Sequence, residues 1–369
     1  MKKLRVALVH DYLNEFGGAE RVLMALSDMY PEAPIYTAFF RPGSTAYAHF
    51  KHRKIVASWA QKIPFFPTGK LHSPLRFLTP MIWNSFDFSK YDVVISSASW
   101  YITKGFVKKG KAIEICYCHT PPRWLYGYKT SIELQKYWPV RVYAAVVGHF
   151  LRMYDFAAAQ RVNFFIANSK NVQGRIEKYY RREATVIYPP IDMPVLTVPK
   201  GDYYLVLARI VGGKGLSLAI EAANKLGLKL KVAGAPAGYA QEFARLQAKA
   251  GPNIEFLGFV SEEKKNELYA GAKGFLALAT DEDFGMTLVE SMAAGTPVIA
   301  YRGGGYLETV VEGKTGVFFD KPTAASLIEA IKKFEKKKFK GAECKKQAAK
   351  FSKKRFEKEI RAFIEKRTL

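Results

Sequence analysis

Tyr203-Tyr-Leu-Val-Leu-Ala-Arg-Ile-Val-Gly-Gly-Lys-Gly215 is a short apolar run that ends in a basic, glycine-rich turn, and a helical pattern through Leu218, Ala219 and Ala222 follows it. An apolar run this short, rich in Tyr, Leu and Val and closed by glycines, reads as a buried strand. The same grammar opens the chain. Arg5-Val-Ala-Leu-Val-His-Asp11 is the strand, Gly17-Gly18-Ala19-Glu20 opens the helix, and Val22, Leu23, Leu26 and Met29 make its apolar face. A chain that starts strand, turn and helix twice should contain two domains of one kind, and its 369 residues suit two at roughly 100–200 residues each.

Between the two starts, Tyr188-Pro-Pro-Ile-Asp192 and the stretch from Pro194 to Pro199 suit an extended linker. The boundary is therefore expected near residue 195, giving domains 1–195 and 196–350. In the second half, strand-like runs at Leu228 to Ala233, Ile254 to Val260, Phe275 to Ala279 and Pro297 to Tyr301 alternate with helical ones, which builds parallel βαβ units. Comparable runs in the first half, Val93 to Ser96, Ile113 to Cys118 and Phe164 to Ala167, are separated by longer segments. The predicted class is α/β, with two Rossmann-like, doubly wound domains. At the end, Ser352 as N-cap, the pair Phe351 and Phe356, and a stripe of Phe356, Ile360, Phe363 and Ile364 predict a helix over 351–369 that packs back toward the first domain.

Composition narrows the partners. Lys and Arg number 57 against 33 Asp and Glu, a net +24 that calls for a polyanion: nucleic acid, anionic lipid or a phosphorylated substrate. Residues 331–369 hold 16 Lys or Arg against five Glu, the most basic part of the chain. Apolar runs stop short of the ~18–20 residues of a membrane span, and Met1-Lys2-Lys3 leads straight into a strand, so a cytoplasmic protein is expected. Cys116, Cys118 and Cys344 form neither a disulfide framework nor a zinc pattern.

Chemistry concentrates in Glu282-Asp-Phe-Gly-Met-Thr-Leu-Val-Glu290, where a strand ends, a loop carries Glu282 and a helix starts with Glu290 inside it. Ligands of open α/β sheets bind at that edge. As a glycosidase pair these glutamates fail: eight positions apart on mostly helical backbone they sit up to about 12 Å apart, beyond the ~5–5.5 Å of a retaining hydrolase.

Here the chain resembles the retaining glycosyltransferase family 4, whose mark is two glutamates separated by seven residues in this context. The resemblance extends from Gly17-Gly18-Ala19-Glu20 through Cys118-His119-Thr120-Pro121, Ala167-Asn168-Ser169, and Arg209 with Lys214-Gly215. It continues through the two-glutamate motif to Gly303-Gly304-Gly305, Glu308-Thr309 and Thr315-Gly316. Ile115-Cys-Tyr-Cys-His-Thr-Pro121, Arg161 to Ser169 and Val186-Ile-Tyr-Pro-Pro190 are similar to a bacterial and archaeal subgroup of mannosyltransferases, whereas Pro122-Arg-Trp-Leu-Tyr-Gly127 departs from the family pattern.

The resemblance implies the GT-B architecture, two Rossmann-like domains facing a central cleft. It implies metal-independent, cofactor-free transfer of a hexose, mannose from GDP-mannose by subgroup, to a hydroxyl of a glycan or lipid-linked acceptor. Arg209 and Lys214 would neutralise the departing diphosphate, as fixed cations must where no metal does so, with Gly17 and Gly18 as a second cradle. Glu290 would accept from ribose hydroxyls and Glu282 from the transferred sugar. Phe284, Gly285, Met286 and Thr287 complete the loop, with Gly285 bringing backbone close to the ligand. His119 and Ser169 belong to the active-site set.

A nucleotide-sugar epimerase or phosphorylase shares the architecture, but a phosphorylase needs a pyridoxal-phosphate lysine in a longer chain and an epimerase lacks this string of motifs. A non-catalytic basic protein would leave Arg209, Lys214, His119 and both glutamates unexplained, and no nucleic-acid-binding signature is present. The charge is expected instead to hold the enzyme on an anionic membrane at its inner face. Trp59, Phe65, Phe66, Leu71, Leu75, Phe77 and Trp83 would insert beside the lysines, and the Lys-rich 332–346 segment would assist.

Overall fold

The computed structural model describes residues 4–368 apart from 69–70, 129–136, 197, 211–212 and 237–239. Of the features quoted above, residues 1–3, 197 and 211–212 lie outside the described set. The chain divides into two compact units, Met1–Pro190 with Phe356–Leu369, and Ile191–Arg355.

The first unit is built on a seven-stranded sheet: β1 (Val6–His10), β2 (Ile35–Thr37), β3 (Ile55–Ala57), β4 (Val93–Ala98), β5 (Ile113–Cys118), β6 (Phe164–Ala167) and β7 (Ala184–Val186). The order is β3-β2-β1-β4-β5-β6-β7, and every neighbour pair is parallel. Parallel strands covered on both faces must be apolar throughout, and all five residues of β1 are buried. One core layer joins Val6 and Leu8 of β1 to Val22, Leu23 and Leu26 of the helix Gly18–Met29, and to Phe356, Ile360, Phe363 and Ile364 of the helix Lys353–Thr368.

The second unit repeats the plan with six strands: β8 (Tyr204–Leu207), β9 (Leu230–Ala233), β10 (Ile254–Gly258), β11 (Gly274–Ala277), β12 (Val298–Tyr301) and β13 (Gly316–Phe319). The order is β10-β9-β8-β11-β12-β13, again all parallel. In each sheet the first strand of the unit lies beside the fourth, so the winding reverses between β1 and β4 and between β8 and β11. At such a reversal the flanking loops part to opposite faces and open a crevice above the strand ends.

The aromatic stretch after Lys51 differs from its sequence reading. Phe66 and Trp83 are fully buried in a core layer with Phe39, Phe88 and Phe106, and the Trp83 indole N–H donates to Tyr101 O at 2.8 Å. They therefore have no free face for lipid, whereas Trp59, Phe65 and Phe77 are exposed. A 24-residue helix, Trp138–Arg161, instead exposes large apolar side chains, Trp138, Val142, Val146 and Phe150 among them. It is tied down at its C-terminal half by a buried cluster: Lys104 pairs with Asp155, and the Tyr126 hydroxyl donates to the same carboxylate at 2.6 Å.

Candidate active site

In the second unit, the loop that leaves β8 and the loop that leaves β11 meet at the sheet reversal. Gly215 caps the helix Leu216–Leu226 in left-handed conformation, with φ of 71°, and a Cβ there would stand 2.6 Å from Leu278 Cβ. Only glycine lets the two loops close on each other. The residue before it, Lys214, donates from Nζ to Glu282 Oε2 at 2.8 Å, while Arg209 is exposed at the start of the same turn. Lys214 and Glu282 retain 30% and 22% of their side-chain exposure, so the pair is half-wet and reachable.

The Glu282 loop is held from behind by Gly303-Gly304-Gly305. Gly304 has φ of 55° and comes so close that a Cβ would lie 2.4 Å from Glu282 O, and the Gly305 N–H donates to that oxygen at 2.9 Å. Phe284 is buried and packs edge-on against Phe351. Gly285, expected to bring backbone against a ligand, has the Tyr306 ring 2.5 Å from where its Cβ would stand, so that space is already filled. Its left-handed backbone starts the helix Met286–Ala293, with Met286 and Thr287 half-buried in the first turn. Neither this helix nor Leu216–Leu226 has a side-chain cap, so both present first-turn amides near the reversal.

Glu290 lies in a different setting from Glu282. Its carboxylate accepts from the Tyr269 hydroxyl at 3.0 Å and from Lys265 Nζ at 3.3 Å, and Lys265 also pairs with Glu262 at 2.7 Å. Lys265 and Tyr269 lie four apart on the helix Glu262–Gly271, a spacing that puts them on one face. The sequence reading passed over both.

In the first unit, the ends of β1, β4 and β5 gather a second polar cluster. The register sets His10 opposite Ser97. His10 Nδ1 lies 3.0 Å from Ser97 Oγ, which lies 2.8 Å from His119 Nε2, and His10 Nε2 faces Glu20 Oε1 at 3.2 Å. His119 is 8% exposed; burial, with some help from the neighbouring His10, pushes its pKa down to about 3 against a weaker opposing pull from Asp11. It is therefore neutral at ordinary pH. Asp11 accepts from the Trp100 amide at 2.6 Å, from the Ser99 hydroxyl at 2.9 Å and from Thr103, which ties the β1 end to the loop after β4.

Gly17 precedes the helix Gly18–Met29, yet its N–H donates to Glu20 Oε2 at 2.9 Å. The carboxylate of Glu20 thus occupies the helix start where a phosphate cradle was expected. Ser169 is fully buried as the N-cap of the helix Lys170–Tyr180, accepting from the Val172 amide at 3.1 Å. It donates to Asn168 Oδ1 at 3.0 Å, and Asn168 Nδ2 holds His119 O at 2.9 Å. Ser169 is thus linked through Asn168 to the backbone of His119. Among the described residues no three His, Cys, Asp or Glu gather to hold a metal, and no helix is long and apolar enough to cross a membrane.

Two successive domains with this sheet order and these loop contents match two family models. Residues 16–193 match the model for Glycosyltransferase Family 4 and residues 191–354 the model for Glycosyl transferases group 1. The matches meet at the linker and cover the chain from 16 to 354; the chain belongs to the glycosyltransferases of the GT-B fold. An uncharacterized glycosyltransferase of Methanocaldococcus jannaschii is 28% identical over 189 residues, which are 51% of this chain and 53% of that protein. The chain thus spans about half the length of that relative. The alpha-1,3/1,6-mannosyltransferase ALG2 of Dictyostelium discoideum is 41% identical over 80 residues, 22% of this chain and 19% of its own. In fold, the chain is similar to Anabaena HepE, solved in complex with UDP and glucose: the TM-score is 0.74 at 18% identity, over 98% of this chain and 100% of that one.

Proposed function

We propose that the protein is a retaining, metal-independent hexosyltransferase that moves mannose from GDP-mannose to a hydroxyl of a glycan or lipid-linked acceptor. The observation that carries this reading is the Lys214–Glu282 pair at the β8/β11 reversal. A departing nucleoside diphosphate develops negative charge, and a crevice that already holds a cation oriented by a carboxylate needs little reorganisation to receive it. Lys214 has further N–H groups for phosphate oxygens, Arg209 adds a planar fork, and the uncapped helix starts add amide donors. Glu282, steadied by Lys214 and by the glycines behind it, would accept hydrogen bonds from hydroxyls of the transferred sugar. Glu290, steadied by Tyr269 and Lys265, would accept from the ribose. Separate partner sets let the two carboxylates perform separate tasks. The 41% stretch shared with a mannosyltransferase supports mannose as the sugar.

The acceptor side of the reading is a surface one: the protein works on an anionic membrane at its inner face. Support comes from the helix Trp138–Arg161. Residues 141–146 are all exposed, Trp138 and Phe150 are 69% and 65% exposed, and Val142, Val146 and Met153 are exposed beside them. Arg141 and Arg152 are its exposed charges among a helix whose one acid, Asp155, is buried against Lys104. An apolar surface with cations and no exposed acid suits the boundary of an anionic leaflet. The Lys-rich 332–346 segment is a weaker contributor, since Lys332 pairs with Glu329 at 3.1 Å.

The deciding experiment is a donor panel. GDP-mannose should raise the melting temperature and yield a retained-anomer product in excess EDTA, since a ligand at ~100 times its dissociation constant adds ~2.7 kcal/mol. Stabilisation by UDP-sugars alone would overturn the donor, and strict need for a divalent ion would overturn the cation-only account.

A further inference from the structure

The string from half-buried Glu20 through His10 and Ser97 to His119 runs across the ends of β1, β4 and β5 and is a chain of hydrogen bonds whose direction follows from where the His10 proton sits. An ionised carboxylate only accepts. Glu20 already accepts the Gly17 N–H at Oε2, and its Oε1 faces His10 Nε2, so that nitrogen carries the proton. Where that is the only proton on His10, Nδ1 is a bare lone pair and the Ser97 hydroxyl donates to it; a second proton on Nδ1 would reverse every later bond of the string. Ser97 has one proton, now committed, so its oxygen can only accept from His119 Nε2–H. His119 is neutral, and a neutral imidazole with its proton on Nε2 has a lone pair at Nδ1. The His119 backbone is held as well: Asn168 Nδ2 donates to its carbonyl, its amide N–H donates to Ala98 O at 2.9 Å, and the Tyr117 ring lies 5.2 Å from the imidazole.

We propose that Glu20, His10 and Ser97 are positioning residues that fix the tautomer of His119, so that Nδ1 is presented as the acceptor for a substrate hydroxyl. The hydroxyl's identity as a sugar hydroxyl rests on the transferase reading; the tautomer does not. Without the string, either nitrogen of a neutral imidazole can carry the proton, and in the wrong form Nδ1–H would repel the hydroxyl proton it should receive. His10 and Asp11 are the titratable groups that act on the His119 ring from β1 and the turn after it, and Tyr117 faces it from β5.

The test reads the tautomer directly. The chain has six histidines, so selective ¹⁵N labelling with long-range ¹H–¹⁵N correlation resolves them, and His119→Gln identifies the His119 signal by its loss. The expected wild-type result is a protonated Nε2 and a bare Nδ1. In Ser97→Ala and in Glu20→Gln, whose amide can face His10 either way, the His119 signal should move toward a mixture of tautomers. In the same variants kcat should fall about tenfold or more, the scale of losing one hydrogen bond made in the transition state, with donor KM unchanged, and Ser97→Thr should restore both. Glu20 is on the helix surface end of the string, so Glu20→Gln keeps the test open if Ser97→Ala does not fold. A protonated Nδ1 in the wild type, or variants with an unaltered His119 signal, overturns the proposal. Absence of transfer with every donor would refute the transferase reading while leaving the tautomer result to stand or fall by itself.

Discussion

Replacing His119 by Asn should flatten the acid sensitivity of the first unit. The folded protein holds this imidazole neutral, its pKa pushed to about 3, whereas the unfolded chain protonates it near 6.5. Below about pH 6.5 the unfolded state therefore binds a proton that the folded state refuses, and stability must fall as pH falls. A folded pKa below the unfolded one gives a contribution that is intact above 6.5 and lost progressively down toward 3. From about pH 8 to about pH 5 the loss is about 2 kcal/mol, from 1.36 kcal/mol per unit over the 1.5 units below 6.5. This figure depends little on how far the folded pKa lies below 4. Asn does not titrate, so its stability should lack this component. All five tryptophans, Trp59, Trp83, Trp100, Trp124 and Trp138, are in the first unit, so their fluorescence during urea unfolding reports on that unit. The stability difference between wild type and His119→Asn should narrow by about 2 kcal/mol over that range, since carboxylate contributions cancel in the comparison. Parallel curves would mean that folded His119 accepts a proton as readily as unfolded His119, and the neutral-imidazole argument would fail with them.

Lys214→Ala should cost about 100-fold or more in transfer rate, the scale of removing one preorganised charge-stabilising group, while circular dichroism and melting temperature stay close to wild type because the side chain is half-exposed. Glu290→Ala should raise the Kd for the nucleotide diphosphate alone, whereas Glu282→Ala should mainly lower kcat; calorimetry with the nucleotide and steady-state kinetics separate them, and swapped effects would reverse the assignments. Gly304→Ala should destabilise the second unit by about 1–3 kcal/mol through left-handed strain and the close contact with Glu282 O, seen as a lower melting temperature and slower transfer together. The double change Trp138→Ser with Phe150→Ser should reduce binding to anionic vesicles more than tenfold in co-sedimentation, since each buried aromatic contributes about 1.5–3 kcal/mol; unchanged binding would remove the helix Trp138–Arg161 from the docking surface.

What the sequence makes legible follows from period and punctuation. The strands β1 and β8, their glycine turns and the stripe Phe356, Ile360, Phe363 and Ile364 are regular enough to be read directly. The three-residue strands β2, β3 and β7 are too short to show alternation. The helix Trp138–Arg161 escapes because its first half scatters apolar residues around an exposed surface, which leaves no stripe to detect. Phe66 and Trp83 mislead for a related reason: in loops and short turns an aromatic residue has no period to say whether it faces inward. In the site, Glu282 and Glu290 stand out by their spacing with turn residues between them. His119 enters through the family resemblance alone, and His10 and Ser97 do not stand out at all, since β1 and β4 bring together positions 87 apart in sequence and only the sheet register reveals it. Lys265 and Tyr269 hide inside an otherwise polar helix.

The two sheets share one winding order, so physics offers each the same crevice, at the ends of β1 and β4 in one and of β8 and β11 in the other. What fills the crevices differs in kind. The second holds a half-exposed ion pair, Lys214 with Glu282, beside uncapped helix starts, an arrangement that gains from meeting a polyanion. The first has its helix start already occupied by Glu20 and carries a buried string of two imidazoles and a hydroxyl that ends in the neutral His119. A buried phosphate there would meet the Glu20 carboxylate, and beside His119 would face the same desolvation that keeps that imidazole neutral. A neutral hydroxyl meets no such barrier. The division of labour proposed here, anion handling in the second unit and hydroxyl handling in the first, thus follows from which groups each crevice has left ionised. It predicts that inorganic diphosphate protects the second unit against hydrogen exchange around Lys214 and leaves exchange at β1 and β4 unchanged; protection confined to β1 and β4 would invert the assignment.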